Sequence, residues 1–244
     1  MMRALHEAGR TIIPARDDPH GPLPGLLVML TVVTGLVDAF SYLGLSHVFV
    51  ANMTGNVVFL AFSLGGAAGF VWWASALAIL TFLIGAFAGG RFSRVYGQHR
   101  GRHLCISAAV EGILVVAAFI LSLVVGWPYR DGSLAALVVL LGLGMGLQNA
   151  TARSLAVPDL TTTVLTLTLT GITSDSAAKG GQESKLGRRT VSIASMFVGA
   201  IVGAALIESN HPAWPLLIST LILAAVVAGS SRTVHSTEKW VTRR

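Results

Sequence analysis

The chain has 244 residues, 53% of them hydrophobic and only 11% charged, with a mean hydropathy of +0.72 and a formal net charge of +6. Soluble domains carry roughly a quarter charged residues, so a water-solvated globule is excluded. The basic residues lie in short stretches between apolar runs rather than on one face, which removes nucleic acid as the reading of the charge, and the single Cys105 leaves no intramolecular disulfide or CxxC chemistry.

Residues 1–22 mix Arg3, Arg10 and Arg16 with Glu7, Asp17 and Asp18, and the apolar run that follows lacks a small-residue cleavage pattern. This reads as a cytoplasmic, mostly disordered tail rather than a signal peptide. Apolar runs then predict six full membrane spans at roughly 23–43, 70–90, 104–125, 133–151, 190–207 and 213–230. Between them, segments 48–64 and 158–177 mix apolar residues with Asn, Thr, Gly or Asp and predict broken or re-entrant stretches. Residues 231–244 form a cytoplasmic C-terminal tail.

Loop charge decides between eight crossings and six. With six, the groups Arg91/Arg94/Arg100/Arg102, Lys179/Lys185/Arg188/Arg189 and Arg232/Lys239/Arg243/Arg244 all lie on the cytoplasmic side, and only Arg130 lies outside. With eight, four arginines would be external.

The transmembrane domain, 23–230, also repeats itself. Gly35-Leu36-Val37-Asp38-Ala39 resembles Gly146-Leu147-Gln148-Asn149-Ala150, and Ile84–Gly89 resembles Val198–Gly203 with its Gly-xxx-Gly spacing. Repeat 1 covers 23–125 and repeat 2 covers 133–230, each ordered as span, irregular segment, span, span. An odd number of crossings per half makes the repeats inverted, the pattern of transporters whose site lies near the midplane. The predicted fold is therefore all-α: a polytopic bundle of six spans, two broken segments and two inverted repeats. The faces carrying Gly85/Gly89 and Gly199/Gly203 suit close helix packing or a homo-oligomer contact.

The stretch from Gly35 through Tyr42-Leu43, followed by Val48-Phe-Val-Ala-Asn-Met-Thr-Gly-Asn56, resembles the signature of the YoaK-type family of bacterial membrane proteins. The resemblance runs from about Leu23 to about Ala228. It implies a multi-pass protein of the bacterial inner membrane and assigns no activity.

Ionisable residues inside spans are functional candidates by default. Asp38 and Glu111 are the two here, with neutral Asn149 as the repeat counterpart of Asp38. Asn52, Thr54, Gly55 and Asn56 form a polar break whose freed backbone groups need protein or a water-filled cavity around them; a turn capping the next helix is the structural alternative. In the second half the threonines of 161–170, Thr166 among them, either line a polar path or bond back within a helix. His47, His99, His103 and His211 lack metal-ligand spacing, no nucleophile motif is present, and no cofactor is expected. The tryptophans sit near span ends as interfacial anchors. These features point to passage of a small-molecule or ion solute, with proton coupling as one option, near Asp38, Asn56 and Thr166. A membrane-embedded enzyme using Asp38 and Glu111 on a lipid-like substrate, and a non-catalytic scaffold or sensor, are the alternatives.

Overall fold

A computed structural model describes residues 2–12 (side chains from Glu7 onward), 18–160, 162, 170 and 186–242. They form helices α1 (Met2–Ile12), α2 (Leu23–Gly44), α3 (Met53–Leu64), α4 (Trp72–Tyr96), α5 (Arg100–Val125), α6 (Asp131–Leu155), α7 (Leu186–Glu208) and α8 (Trp214–Ser231). Six of these, all but α1 and α3, are long and apolar enough to cross a membrane.

Two boundaries differ from expectation. Arg91 and Arg94 extend α4, and Arg100 and Arg102 open α5, so the connection that was expected to hold four arginines shrinks to 97–99. The helical ladder continues past the apolar run because its backbone bonds are made locally whatever the side chains face. The N-terminal tail is the larger correction, since residues 2–12 are helical rather than disordered. The Glu7 carboxylate accepts from the amide of Gly187 (3.2 Å), in the first turn of α7. A carboxylate there takes up an orphan amide and sits at the positive end of the helix dipole. That partner lies 180 residues away in sequence, so local composition could not reveal it.

At one end of the bundle the Arg100 guanidinium donates to the carbonyls of Leu155 and Trp240. Its backbone amide donates to the Val241 carbonyl at 2.8 Å. The Trp240 ring lies over Gly21, whose φ of +55° and lack of Cβ both suit the contact. Trp240 is thus buried, not an interfacial anchor, and ties the C-terminal tail to the start of α2. At the opposite end Trp127 covers Gly44, and Tyr129 packs on Phe40 with ring centroids 5.6 Å apart. Burial pushes the Tyr129 phenol, which lies outside the spans, above its ordinary range.

The connection 45–52 buries its apolar residues, with Leu45, Val48 and Val50 at 0% exposure, and turns at Ser46 and His47, both at φ +59°. It then folds back along α2, because the Ala51 amide donates to Asp38, six residues before the end of that helix. The break thus falls at 45–52, whereas Met53-Thr-Gly-Asn56, expected to be unwound, starts α3. Stacking of Tyr42 on Phe49 (4.8 Å), and of Phe59 on Phe49 (5.9 Å) and on Phe70 (5.2 Å), holds the returning segment and α3 together.

Helix packing is set by glycines. A Cβ on Gly85 would strike the Leu143 carbonyl, and one on Gly146 the Phe82 carbonyl, which brings α4 and α6 together in parallel. On the other side a Cβ on Gly199 would strike the Val32 carbonyl, and one on Gly35 the Met196 carbonyl, which does the same for α7 and α2. Gly89 faces Ala150 and Leu147, just as Gly203 faces Ala39 and Leu36. The Gly-xxx-Gly faces that were candidates for an oligomer contact are therefore occupied within the chain.

Candidate functional site

The polar residues of α2 make one stripe. Thr31, Thr34, Asp38 and Ser41 recur at intervals of three and four, which puts them on one helical face, and each is 5% exposed or less. Both threonines and Ser41 donate to backbone carbonyls of their own helix, so their hydroxyl protons are used locally. Asp38 differs. Its Oδ1 accepts from the Ala51 amide at 2.9 Å, while its Oδ2 is buried with no hydrogen-bond partner among the described residues. No Lys or Arg occurs anywhere on α2.

A second polar line runs along α5 and α6, which pack antiparallel. Two contacts fix their register: the Ser154 hydroxyl lies 3.2 Å from His103 Nδ1, and a Cβ on Gly144 would lie 3.5 Å from Glu111 Cγ. Between these contacts, Ser107 lies one turn from both His103 and Glu111, and Gln148 and Thr151 occupy the facing turns of α6. Ser107, Glu111, Gln148 and Thr151 are each 2% exposed or less. All four carry a buried oxygen without a partner among the described residues: Ser107 Oγ, Glu111 Oε1, Gln148 Oε1 and Thr151 Oγ1. Gln148 joins the two lines, since its Nε2 donates to Thr34 Oγ1 at 2.8 Å.

Of the residues singled out in the sequence, Asp38 and Glu111 are thus both buried and lie on the two lines that Gln148 connects. Asn56 is fully buried but bonded at both ends of its amide to the backbone of Phe49, accepting from the amide (3.0 Å) and donating to the carbonyl. Asn52 and Thr54 are exposed at the start of α3, and Gly55 packs under Phe49. Asn149 is half-buried beside Gln148. Thr166 and most of 158–177 lie outside the described residues; within them Asp159 pairs with Arg189 at 2.9 Å, at the start of α7. Ser107, Gln148, Thr151 and Thr34 were not singled out. The available signal was their spacing, which puts Ser107 one turn from Glu111 and Gln148 one turn from Thr151. No group of three or more His, Cys, Asp or Glu that could hold a metal ion occurs among the described residues.

Six spanning helices, an apolar exterior and a polar seam at the centre define a multi-pass α-helical membrane protein. A family model described as "Protein of unknown function (DUF1275)" matches residues 26–229, and the chain belongs to this family. It is similar to the UPF0700 transmembrane protein YoaK of Bacillus subtilis (strain 168), with 29% identity over 192 residues covering 77% of this chain and 83% of that protein. No solved structure matches it.

Proposed function

We propose that the protein is a transporter or channel for a small solute or ion in the bacterial inner membrane, built from two inverted repeats with its path at their interface. The observation that carries this reading is the buried set of Asp38, Thr34, Gln148 and Glu111 inside an apolar bundle, joined by the Gln148–Thr34 hydrogen bond, with oxygens of Asp38, Gln148 and Glu111 unpartnered among the described residues. An orphaned buried polar group costs about 1–3 kcal/mol, so a cluster of them is more economically explained by a ligand or water than by packing. Thr166, which lies outside the described residues, is assigned to the same path on its sequence alone.

Several contacts support the inverted arrangement. The glycine contacts pair Gly35 with Gly146, Gly85 with Gly199 and Gly89 with Gly203, each with neighbours at matching positions of the other half. The matched helices run in opposite directions, because α2 starts at the Arg100 end of the bundle and α6 finishes there. Arg91, Arg94, Arg100, Arg102, Arg153, Arg188 and Arg189 gather at that end, which the positive-inside tendency assigns to the cytoplasm together with both termini.

The test is electrogenic or solute-driven flux in proteoliposomes holding only this protein, under proton, sodium and potassium gradients and with a low-molecular-mass bacterial extract as the source of solute. Flux above that of protein-free vesicles, reduced by Asp38→Asn, is expected. Vesicles as tight as the protein-free control under every condition would refute transport and leave a scaffold or an enzyme.

A further inference from the structure

We infer that the seam between α5 and α6 binds a monovalent alkali cation of the sodium type through an oxygen-only set, formed by the Glu111 carboxylate, the hydroxyls of Ser107 and Thr151, and the side-chain carbonyl of Gln148. This rests on the transport reading and names the ion to which that path is coupled.

Geometry and chemistry both lead there. The four unpartnered atoms are all oxygens, and they occupy facing turns bracketed by the Glu111–Gly144 and His103–Ser154 contacts. Gln148 presents its oxygen rather than its nitrogen because Nε2 is held by Thr34 Oγ1. At Gly144 even a Cβ would touch the Glu111 side chain, so α6 presents only backbone to it there. Oxygen-only sets suit hard cations, whereas soft metals take thiolate or imidazole.

Charge then selects the valence. Glu111 is the only acidic residue among the described positions of the seam, and its other titratable member, His103, lies at the end of the seam beside Ser154. One carboxylate and one monovalent cation make a neutral pair, which is the least costly state at this depth in a membrane. A divalent ion would leave a net positive charge there. Asp38 does not belong to the set, since one of its oxygens is taken by the Ala51 amide and it lies on α2, one turn beyond the Thr34 that Gln148 bonds.

The experiment is thermal unfolding of the purified full-length protein in detergent at fixed pH and ionic strength, with sodium replaced stepwise by potassium or choline. A saturable rise in Tm with sodium is expected, because an ion that binds only the folded state stabilises it. Glu111→Gln should abolish the rise, and Ser107→Ala or Thr151→Val should weaken the apparent affinity about tenfold. Asp38→Asn should keep it. Equal Tm in sodium, potassium and choline would overturn the proposal, as would a sodium effect that survives Glu111→Gln, or a rise that follows pH and ignores sodium. Should Glu111→Gln not fold, Ser107→Ala decides, and an unchanged affinity there overturns the site. A sodium-dependent rise with silent vesicles would refute transport and leave the ion site standing. Flux with no sodium dependence of either kind would do the reverse.

Discussion

The two seams made by the first and last spans of each half differ sharply in chemistry although the packing around them matches. Among the residues buried on α5 and α6 are the polar Ser107, Glu111, Gln148 and Thr151, set between apolar neighbours; α2 and α8 bury an apolar stripe of Leu26, Leu30, Val33, Val37, Leu223 and Val226. By the register that pairs Gly35 with Gly146 and Ala39 with Ala150, Val37 and Phe40 occupy the places of Gln148 and Thr151. The hydroxyls on α8 are satisfied locally, with Ser219 donating to the Pro215 carbonyl and Ser230 to that of Val227. A helix hydroxyl that bonds its own turn needs no ligand. Among the described residues four unpartnered oxygens collect between α5 and α6, against Asp38 Oδ2 alone on α2 and none on α8, which is the difference expected if one seam seals the bundle and the other holds the site.

The largest effect should come from breaking the packing common to both halves. Gly35→Val and Gly146→Val each drive a side chain into a backbone carbonyl, and each should destabilise by about 3 kcal/mol or more. Size-exclusion chromatography after graded heating should show both variants lost at temperatures the wild type survives. Gly90→Val meets open space and should behave as wild type. If Gly35 tolerates valine and Gly146 does not, the two halves are not packed alike.

Next in size is Asn56→Leu, which removes two hydrogen bonds to Phe49 and leaves its backbone amide and carbonyl without them. The expected cost is about 1–3 kcal/mol, with faster proteolysis in 45–70 as the local signature. A variant as resistant as wild type would mean that the aromatic stack alone holds the segment.

Glu111→Leu makes the polar seam resemble the apolar one. Removing a buried carboxylate that has no cationic partner should raise Tm slightly in sodium-free buffer and abolish flux. A fall in Tm would show that the carboxylate is structural. Asp38→Asn should move stability least, by under about 1 kcal/mol, because an amide oxygen can still accept from Ala51, while flux falls.

Long apolar runs made the six spans readable, and an isolated charge in such a run made Asp38 and Glu111 stand out. Their partners were harder to read. Ser107 and Thr151 are residue types that in most helices bond their own turn, and only the facing of α5 on α6 shows that these two do not. The polar run Asn52 to Asn56 looked like the break, yet Asn and Thr also start helices, and the chain breaks earlier, at 45–52. Trp240 and α1 depend on contacts with distant residues, Gly21 and Gly187, which no local window contains. The glycine repeats were visible in the sequence, but whether they faced another helix of the same chain or a second molecule needed the assembled bundle.

The contrast between the seams can be tested directly by thiol accessibility in membrane vesicles. On a Cys105→Ser background, a cysteine is placed at Ser107 in the polar seam or at Ser219 in the apolar one, both of them buried, and challenged with a small membrane-impermeant methanethiosulfonate. A path that opens between α5 and α6 predicts labelling at 107, slowed by sodium, and none at 219. Equal labelling at the two positions, or none at either under conditions that drive flux, would contradict a solute path along the Glu111 seam.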